Sequence, residues 1–135
     1  MSDLLKGMTI LVVDDDGDTC ELLRILLEDF GASVMIANSV EVALALCRRT
    51  PPHLIVSDIR LGPSDGFALI ETIREYNREY RGFTPAIALS GLVAPGDEER
   101  ARAAGFSNYI HKPFDPTDFI NTVLSLLRGP AGLAA

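Results

Sequence analysis

The sequence predicts an α/β fold: a doubly wound five-stranded parallel sheet, strand order 2-1-3-4-5, with helices on both faces. Three observations predict it. Short apolar runs of strand length alternate with longer segments in which apolar residues recur at helical spacing. Turn-forming residues separate these segments, as at Pro51-Pro52 and Gly82–Pro85. Five such units in succession require right-handed crossovers, which build a parallel sheet covered on both sides.

The predicted strands are short runs of β-forming residues. They are Thr9–Val13, Ser33–Ala37, His53–Ser57, Ala86–Leu89 and about Asn108–His111. In this flavodoxin-like order the first and third strands are neighbours where the winding reverses, and ligands bind at the carboxyl ends of the strands there.

The predicted helices follow the strands and begin or end at recognisable residues. They run from Asp16 or Asp18 to Gly31, from Asn38 or Ser39 to about Arg49, from about Phe67 to Tyr80, from Asp97 to Gly105, and from Pro116 to at least Leu127. We expect one domain over residues 1–128 and a flexible tail over residues 129–135.

Composition narrows the class of function. The formal net charge of −7 argues against a domain that grips nucleic acid or an anionic membrane. No apolar run approaches the ~20 residues of a membrane helix, and the first residues lack a signal-peptide core, so we expect a cytoplasmic protein. Cys20 and Cys47 fall in separate predicted helices without metal-type spacing, which indicates reduced thiols.

Reactive side chains follow four of the predicted strands. They are Asp14, Asp15 and Asp16 after the first strand, Asp58 after the third, Ser90 after the fourth and Lys112 after the fifth. Because the carboxyl ends of parallel strands lie at one edge of the sheet, we expect these groups to lie close together, with Asp16 or Asp18 serving only as a helix cap.

Such a cluster suits phosphoryl transfer. Three carboxylates about 4 Å apart repel by roughly 4 kcal/mol per pair at an effective dielectric of 20, and oxygen-only ligands favour Mg²⁺ as the remedy. A carboxylate beside the cation can act as a nucleophile toward a phosphoryl group. The Ser90 hydroxyl and the Lys112 ammonium would then contact phosphoryl oxygens.

The sequence resembles the receiver domain of two-component response regulators over nearly its whole length, either as a single-domain, chemotaxis-type receiver or as the receiver of a hybrid histidine kinase. The matching motifs are Val12-Val13-Asp14-Asp15, Asp58 with Asp65-Gly66 downstream, Ala88-Leu89-Ser90-Gly91, and Asn108-Tyr109-Ile110-His111-Lys112-Pro113-Phe114. Each motif alone is common, but their order and their positions at strand ends carry the resemblance.

The resemblance implies that Asp58 is the phosphoacceptor of a phosphorelay and forms an aspartyl phosphate. Asp15 and Asp58 would bind Mg²⁺ directly, together with the backbone carbonyl of Arg60, and Asp14 would act partly through water. The donor would be a phosphohistidine on a histidine kinase or a histidine phosphotransfer protein. The domain would promote only its own phosphorylation and dephosphorylation, so it would signal rather than act as an enzyme.

The resemblance also implies a switch. Ser90 would move toward the phosphoryl group and Tyr109 would turn inward, which would change the surface of the fourth helix, fifth strand and fifth helix. Ordinary half-buried packing explains Tyr109 equally well. Receivers often pair through their fourth and fifth helices, so a homodimer of that kind is compatible with the sequence. The downstream partner is not named by any motif.

The sequence departs from the usual receiver pattern at a few positions. Gly62-Pro63 stands where a proline usually lies four residues past the acceptor, Ser90 replaces a threonine, and Gly91 replaces an alanine, which leaves the phosphoryl site more open. Arg60 and Leu92 occupy positions that tune the lifetime of the phosphoryl group in this family.

Other functions compete with this interpretation. The strongest alternative resembles the haloacid dehalogenase class of Mg²⁺-dependent phosphatases, with Asp14 as the nucleophile and Asp16 beside it; the missing acidic pair after Lys112 and the lack of a cap domain weaken it. A flavin module is disfavoured because the loop Asp14–Thr19 is acidic where a phosphate would bind. A degenerate receiver used only for docking is disfavoured because every charged site residue is present.

Overall fold

The computed structural model describes residues 3–61, 64–80, 82–91 and 94–134. Its strands are β1 (Thr9–Val13), β2 (Ser33–Ala37), β3 (Leu54–Asp58), β4 (Arg60–Leu61), β5 (Ser64–Asp65), β6 (Ala86–Ser90) and β7 (Asn108–His111). Its helices are α1 (Gly17–Asp29), α2 (Val40–Arg49), α3 (Gly66–Tyr80), α4 (Asp97–Ala104) and α5 (Pro116–Ala134). The predicted fourth and fifth strands correspond to β6 and β7.

The main sheet has the order β2-β1-β3-β6-β7 with every pairing parallel, which confirms the predicted order. Side chains along β1 alternate between two hydrophobic cores, as the pleat requires. Ile10 and Val12 pack with α1 and α5, whereas Leu11 and Val13 pack with α2, α3 and α4. Burial on both faces explains why these strands read as continuous apolar runs rather than as alternating ones.

Two helix starts that the sequence left open are decided by hydrogen bonds. The Asp16 carboxylate accepts from the Asp18 N–H at 3.1 Å, so Asp16 is the cap of α1. The Ser39 hydroxyl accepts from the Val42 N–H at 3.2 Å and caps α2. Each cap satisfies an N–H that has no partner within the first turn.

Three elements differ from the prediction. Strand β3 extends to Asp58 instead of ending at Ser57, which makes the predicted acceptor part of the strand. The loop that follows contains a short antiparallel pair, β4 and β5, that no periodicity indicated because each strand has two residues. Helix α5 continues to Ala134, past Leu127, the last residue whose spacing indicated a helix. The domain boundary at residue 128 and the flexible tail over residues 129–135 stay predictions.

Some predictions concern residues that the structure does not describe. Gly62, Pro63 and Leu92 lie outside the described residues, so the loop conformation and the role expected there stay predictions. Within the described parts of the chain, no helix is both long enough and apolar enough to span a lipid bilayer.

Candidate functional site

The carboxyl ends of β1 and β3 bring the predicted acidic residues together. Val13 pairs with Ser57 in the register of these neighbouring strands, so Asp14 and Asp58, one residue further along, lie side by side. Carboxylate oxygens of Asp14, Asp15 and Asp58 lie within 4.8 Å of one another. The clustering that the strand order predicted is therefore present.

Lys112 joins two of these carboxylates. Its Nζ lies 2.8 Å from Asp14 Oδ2 and 2.9 Å from Asp58 Oδ2. The lysine follows β7, and its backbone N–H donates to the Ser90 carbonyl at 2.8 Å, so the end of β6 holds it in place. The Lys112 ammonium thus arrives from the far side of the sheet, as expected for the fifth strand beside the fourth.

The second oxygen of each joined carboxylate accepts a backbone N–H. The Asp16 N–H donates to Asp14 Oδ1 at 2.9 Å, and the Arg60 N–H donates to Asp58 Oδ1 at 2.8 Å. Both carboxylates are thereby fixed by one charged and one neutral donor, which orients them without using all their lone pairs. Their remaining acceptor capacity is available to another ligand.

Burial and charge set the protonation of this site. Burial raises the pKa of the Asp14 carboxyl, and the opposing hydrogen bond and charge of Lys112 do not fully cancel this effect. Burial by itself lowers the pKa of Lys112, but the hydrogen bonds and charges of Asp14 and Asp58 outweigh it and leave that pKa raised. The lysine therefore stays charged at neutral pH beside the carboxyl groups of Asp14 and Asp58.

The three carboxylates differ in exposure. The Asp14 side chain is 1% exposed and that of Asp58 is 13% exposed, whereas Asp15 is exposed. The cluster therefore opens to solvent on the side of Asp15 and Asp58. An open, oxygen-only set of two or three carboxylates fits Mg²⁺, which keeps several waters and takes few protein ligands.

Gly66 shapes the backbone behind the predicted acceptor. A Cβ at this position would lie 2.4 Å from the Asp58 carbonyl oxygen and 2.9 Å from Ile59 Cα, distances that real side chains do not reach. The Gly66 N–H donates to the Ile59 carbonyl at 3.0 Å. The eight-residue step from Asp58 to Gly66 in the sequence therefore marks a close backbone approach that only glycine permits.

Ser90 and Gly91 lie at the end of β6. Ser90 is 1% exposed and pairs with His111 in the β6–β7 register. A Cβ at Gly91 would lie 3.8 Å from Lys112 Cβ and Cδ, which is ordinary contact, so an alanine would fit there. The glycine leaves that space beside the lysine open.

Tyr109 lies on β7 with its ring edge toward His111, at 5.0 Å between centroids and 71° between planes. Its hydroxyl is buried and has no hydrogen-bond partner among the described residues. A buried hydroxyl without a hydrogen-bond partner costs free energy, so this position of the Tyr109 ring is energetically unfavourable for its hydroxyl group. No sequence pattern indicated this missing partner.

Sequence reasoning also missed contacts around the cluster. Arg60 Nη2 lies 3.3 Å from Asp97 Oδ2, 37 positions later in the chain. Cys20 Sγ donates to the Asp14 carbonyl at 3.3 Å and so helps to fix the turn after β1. No local spacing indicates either contact, because each depends on how the loops fold over the sheet edge.

Fold and site together define a class of protein: a doubly wound α/β domain with a carboxylate cluster and a lysine at the carboxyl ends of its strands. The family model of the response regulator receiver domain matches residues 10–124. The chain belongs to this family, which serves two-component signalling. Receiver domains generally bind Mg²⁺ at an acidic pocket, and Asp14, Asp15 and Asp58 form an acidic cluster in this chain.

Three proteins illustrate what this chain is similar to. A 14.6 kDa protein encoded in the sodA1 3′ region of Leptolyngbya boryana is 46% identical over 120 residues, which cover 88% of this chain and 89% of that protein. The polar-differentiation response regulator DivK of Brucella ovis is 34% identical over 119 residues, covering 88% of this chain and 95% of DivK. The structure of the Vibrio cholerae chemotaxis protein CheY4 superposes with a TM-score of 0.81 at 27% identity, covering 89% of this chain and 98% of CheY4.

Proposed function

We propose that this receiver domain takes a phosphoryl group onto Asp58 from a phosphohistidine of a histidine kinase or a histidine phosphotransfer protein. The observation that carries the proposal is the Lys112 ammonium, held 2.9 Å from Asp58 Oδ2 and 2.8 Å from Asp14 Oδ2. It supplies positive charge where phosphoryl oxygens would arrive.

In the reaction, an oxygen of the Asp58 carboxylate attacks the phosphorus and the P–N bond to the histidine breaks. The leaving imidazole nitrogen keeps the bonding electron pair and takes up a proton, while Asp58 becomes a mixed anhydride. Hydrolysis of that anhydride by water returns the carboxylate and inorganic phosphate. While the mixed anhydride persists, Lys112 pairs with a phosphoryl oxygen in place of the Asp58 carboxylate oxygen.

The acidic residues divide the remaining work. Asp15, Asp58 and the Arg60 carbonyl would hold Mg²⁺ directly, and Asp14 would hold one of its waters. When bound, the cation offsets the repulsion between the carboxylates and the incoming phosphoryl oxygens. Asp14, 1% exposed and hydrogen-bonded through both oxygens, orients its neighbours rather than meeting a substrate.

The response to phosphorylation runs through Ser90 and Tyr109. The Ser90 hydroxyl donates to a phosphoryl oxygen, and the space it leaves is taken by the Tyr109 ring. The unpartnered hydroxyl of Tyr109 supports such a change, because an alternative position that satisfies the hydroxyl is favoured. The surface of α4, β7 and α5 would report the change to a cytoplasmic partner or to a second copy of this chain.

The difference in exposure between two carboxylates argues against the phosphatase alternative. That reaction requires Asp14 as the nucleophile, but its side chain is 1% exposed, compared with 13% for Asp58. A nucleophile must be reached by the phosphorus atom in line with the leaving group. Asp58 is therefore the better acceptor.

Incubation with a small phosphodonor such as acetyl phosphate, with and without Mg²⁺, followed by intact mass measurement, tests the proposal. We expect one phosphoryl group per chain in Mg²⁺ and little in its absence. Asp58→Asn should abolish the added mass while keeping the fold, and Asp118→Asn, an exposed change on α5, should not alter it. Full labelling of Asp58→Asn would refute the proposal.

A further inference from the structure

An ion pair connects the loop after the acceptor strand to the beginning of α4. Arg60 follows Asp58 by two positions, and its Nη2 lies 3.3 Å from Asp97 Oδ2. The Asp97 side chain is 10% exposed and that of Arg60 is 55% exposed. The pair thus joins a buried carboxylate at the first residue of α4 to a cation on β4.

Asp97 also closes the turn that leads into α4. Its Oδ2 accepts the Ala94 N–H at 2.9 Å, and its own N–H donates to the Ala94 carbonyl at 3.1 Å. The oxygen that receives Arg60 is therefore the oxygen that holds this turn. Any force on Arg60 acts on the carboxylate that fixes the start of the helix.

At its other end, Arg60 contacts the proposed phosphoacceptor through its backbone. The Arg60 N–H donates to Asp58 Oδ1 at 2.8 Å. A continuous series of contacts thus runs from Asp58 through Arg60 and Asp97 to Ala94. The series depends on a long-range side-chain pair, so a change at either end can be transmitted or interrupted at that pair.

We propose that the Arg60–Asp97 ion pair is a latch that favours the unphosphorylated arrangement of α4, an inference that rests on the proposed function of Asp58. A phosphoryl group on Asp58 adds a charge of about −1.5 to −2 near Arg60. That charge competes with Asp97 for the guanidinium and weakens the pair, which releases the turn at Ala94. Arg60 and Asp97 are positioning residues here, since both act on α4 through the pair.

Linkage gives the latch a measurable consequence. If the pair is stronger in the unphosphorylated state, removing the Asp97 charge while keeping the Arg60 guanidinium must raise the affinity for a phosphoryl mimic. The gain equals the factor by which the pair favours the unphosphorylated state. Because Arg60 is 55% exposed, solvent screens the pair, and we expect a factor of about two to five. A purely structural role would lower stability and leave that affinity unchanged.

The test measures beryllofluoride affinity in saturating Mg²⁺ by titration calorimetry on the whole chain. Arg60→Met keeps the side-chain stem, and Asp97→Asn keeps an oxygen that can accept the Ala94 N–H. Asp97→Asn should bind about two- to fivefold more tightly than wild type, because the guanidinium is then free to meet the bound anion. Arg60→Met also loses that guanidinium, so adding Asp97→Asn to Arg60→Met should bring no further gain. Amide exchange at the first turn of α4 should speed up by a similar factor in the free protein.

A second ion pair on α4 provides the control. Arg102 Nε lies 3.9 Å from Glu98 Oε2, and both side chains are exposed. Arg102→Met removes this pair without touching the loop after Asp58, so beryllofluoride affinity should stay at the wild-type value. An equal gain in this variant would overturn the latch, because general loosening of α4 would then suffice.

Failure of the latch is distinguishable from failure of the proposed function. Unchanged or weaker binding by Asp97→Asn, or an equal gain when Asp97→Asn is added to Arg60→Met, with normal binding by wild type, would overturn the latch alone. Wild-type protein that does not bind beryllofluoride in Mg²⁺ would overturn both.

Discussion

Lys112 and Arg74 are both half-buried cations, but they lie at opposite ends of the sheet and meet different partners. Lys112, at the carboxyl end, pairs with the carboxylates of Asp14 and Asp58. Arg74, on α3 at the amino end, donates to neutral oxygens. Its acceptors are the Gly105 carbonyl at 3.0 and 2.7 Å, the Asn77 amide oxygen at 2.7 Å and the Thr84 carbonyl at 2.6 Å.

Burial acts on both cations, but its effect on the pKa differs. It lowers the pKa of Arg74, whereas the carboxylates beside Lys112 outweigh burial and raise the pKa of that lysine. The partners of Arg74 are carbonyl and amide groups that undergo no chemistry, so its hydrogen bonds tie α3 to the turns before β6 and β7 permanently. Under the proposed function, the partners of Lys112 bind Mg²⁺ or become phosphorylated, so its contacts are exchanged. A fixed cation stabilises the fold, and an exchangeable one serves the site.

The largest expected effect on stability is at Arg74. Arg74→Met would leave several buried oxygens without donors, so we expect the free energy of unfolding to fall by about 3 kcal/mol, measured in urea at pH 7. Arg74→Lys keeps the charge but loses the planar fork, and should recover only part of this loss. Labelling of Asp58 in the folded variants should stay normal; loss of labelling would contradict the separation of the two ends.

Mg²⁺ should act only at the Lys112 end. At a free concentration one hundred times its dissociation constant, it should raise the free energy of unfolding of wild type by about 2.7 kcal/mol. Arg74→Met should show the same increment, because its site is intact. Asp15→Asn removes an exposed carboxylate and should show a smaller increment at the same concentration. Equal increments in Asp15→Asn and wild type would contradict the proposed metal site.

Lys112→Met should cost about 1–2 kcal/mol at pH 7, since it leaves the carboxylates without their cation. Because the folded pKa of Lys112 is raised above its ordinary value of 10.5, the stabilisation is complete below that pH and is lost as the pH rises through the folded pKa. Urea titrations should therefore show the wild-type and variant free energies converging above pH 10.5. A constant difference between the wild-type and variant free energies of unfolding, from neutral pH to above pH 10.5, would show that the charge of Lys112 is not the cause.

Lys112→Met should also lower the rate at which the phosphodonor labels Asp58 by about 100-fold at neutral pH.

Alanine substitutions at two glycines, one behind Asp58 and one beside Arg74, give the smallest and most local comparison of the two ends of the sheet. Gly66→Ala places a Cβ against the Asp58 backbone, which cannot yield, so we expect about 1–2 kcal/mol of destabilisation together with slower labelling. At Gly105, where φ is +127°, a Cβ would lie 2.7 Å from Arg74 Cγ, so the alanine variant should lose a similar amount with normal labelling. Urea unfolding measures the loss of stability, and the phosphodonor assay measures the rate of labelling at Asp58. Slow labelling in the Gly105→Ala variant would contradict the separation of the two ends of the sheet.

The carboxyl end of the sheet was predictable because its groups follow directly from strand order. Runs such as Thr9–Val13 show their length and burial in the sequence, and parallel strands must end at one edge. The proximity of Asp14, Asp58 and Lys112 follows from those two facts alone. Helix caps were predictable to within two residues, as at Asp16, because the side chain of a capping residue accepts a hydrogen bond from a backbone N–H two or three residues later.

The amino end was not predictable, because its contacts depend on the path of turns rather than on periodicity. Arg74 reaches Gly105 across 31 positions, and nothing in its local sequence distinguishes it from a solvated arginine. His53, to which we assigned no chemistry, accepts the Thr9 N–H through Nδ1 at 2.9 Å. The Arg60–Asp97 pair lies at the carboxyl end but was equally unpredictable, since the sequence shows Asp97 only as a favourable acidic residue in the first turn of a helix.

The central claim is that Asp58 carries the phosphoryl group, and the most direct test is to locate the mixed anhydride. Protein treated with acetyl phosphate and Mg²⁺ would be reduced with borohydride, which converts the acyl phosphate to an alcohol, then digested and mapped by mass spectrometry. We predict homoserine at position 58, with positions 14 and 15 unchanged. Reduction at position 14 in place of position 58 would contradict the account and favour the phosphatase reaction instead.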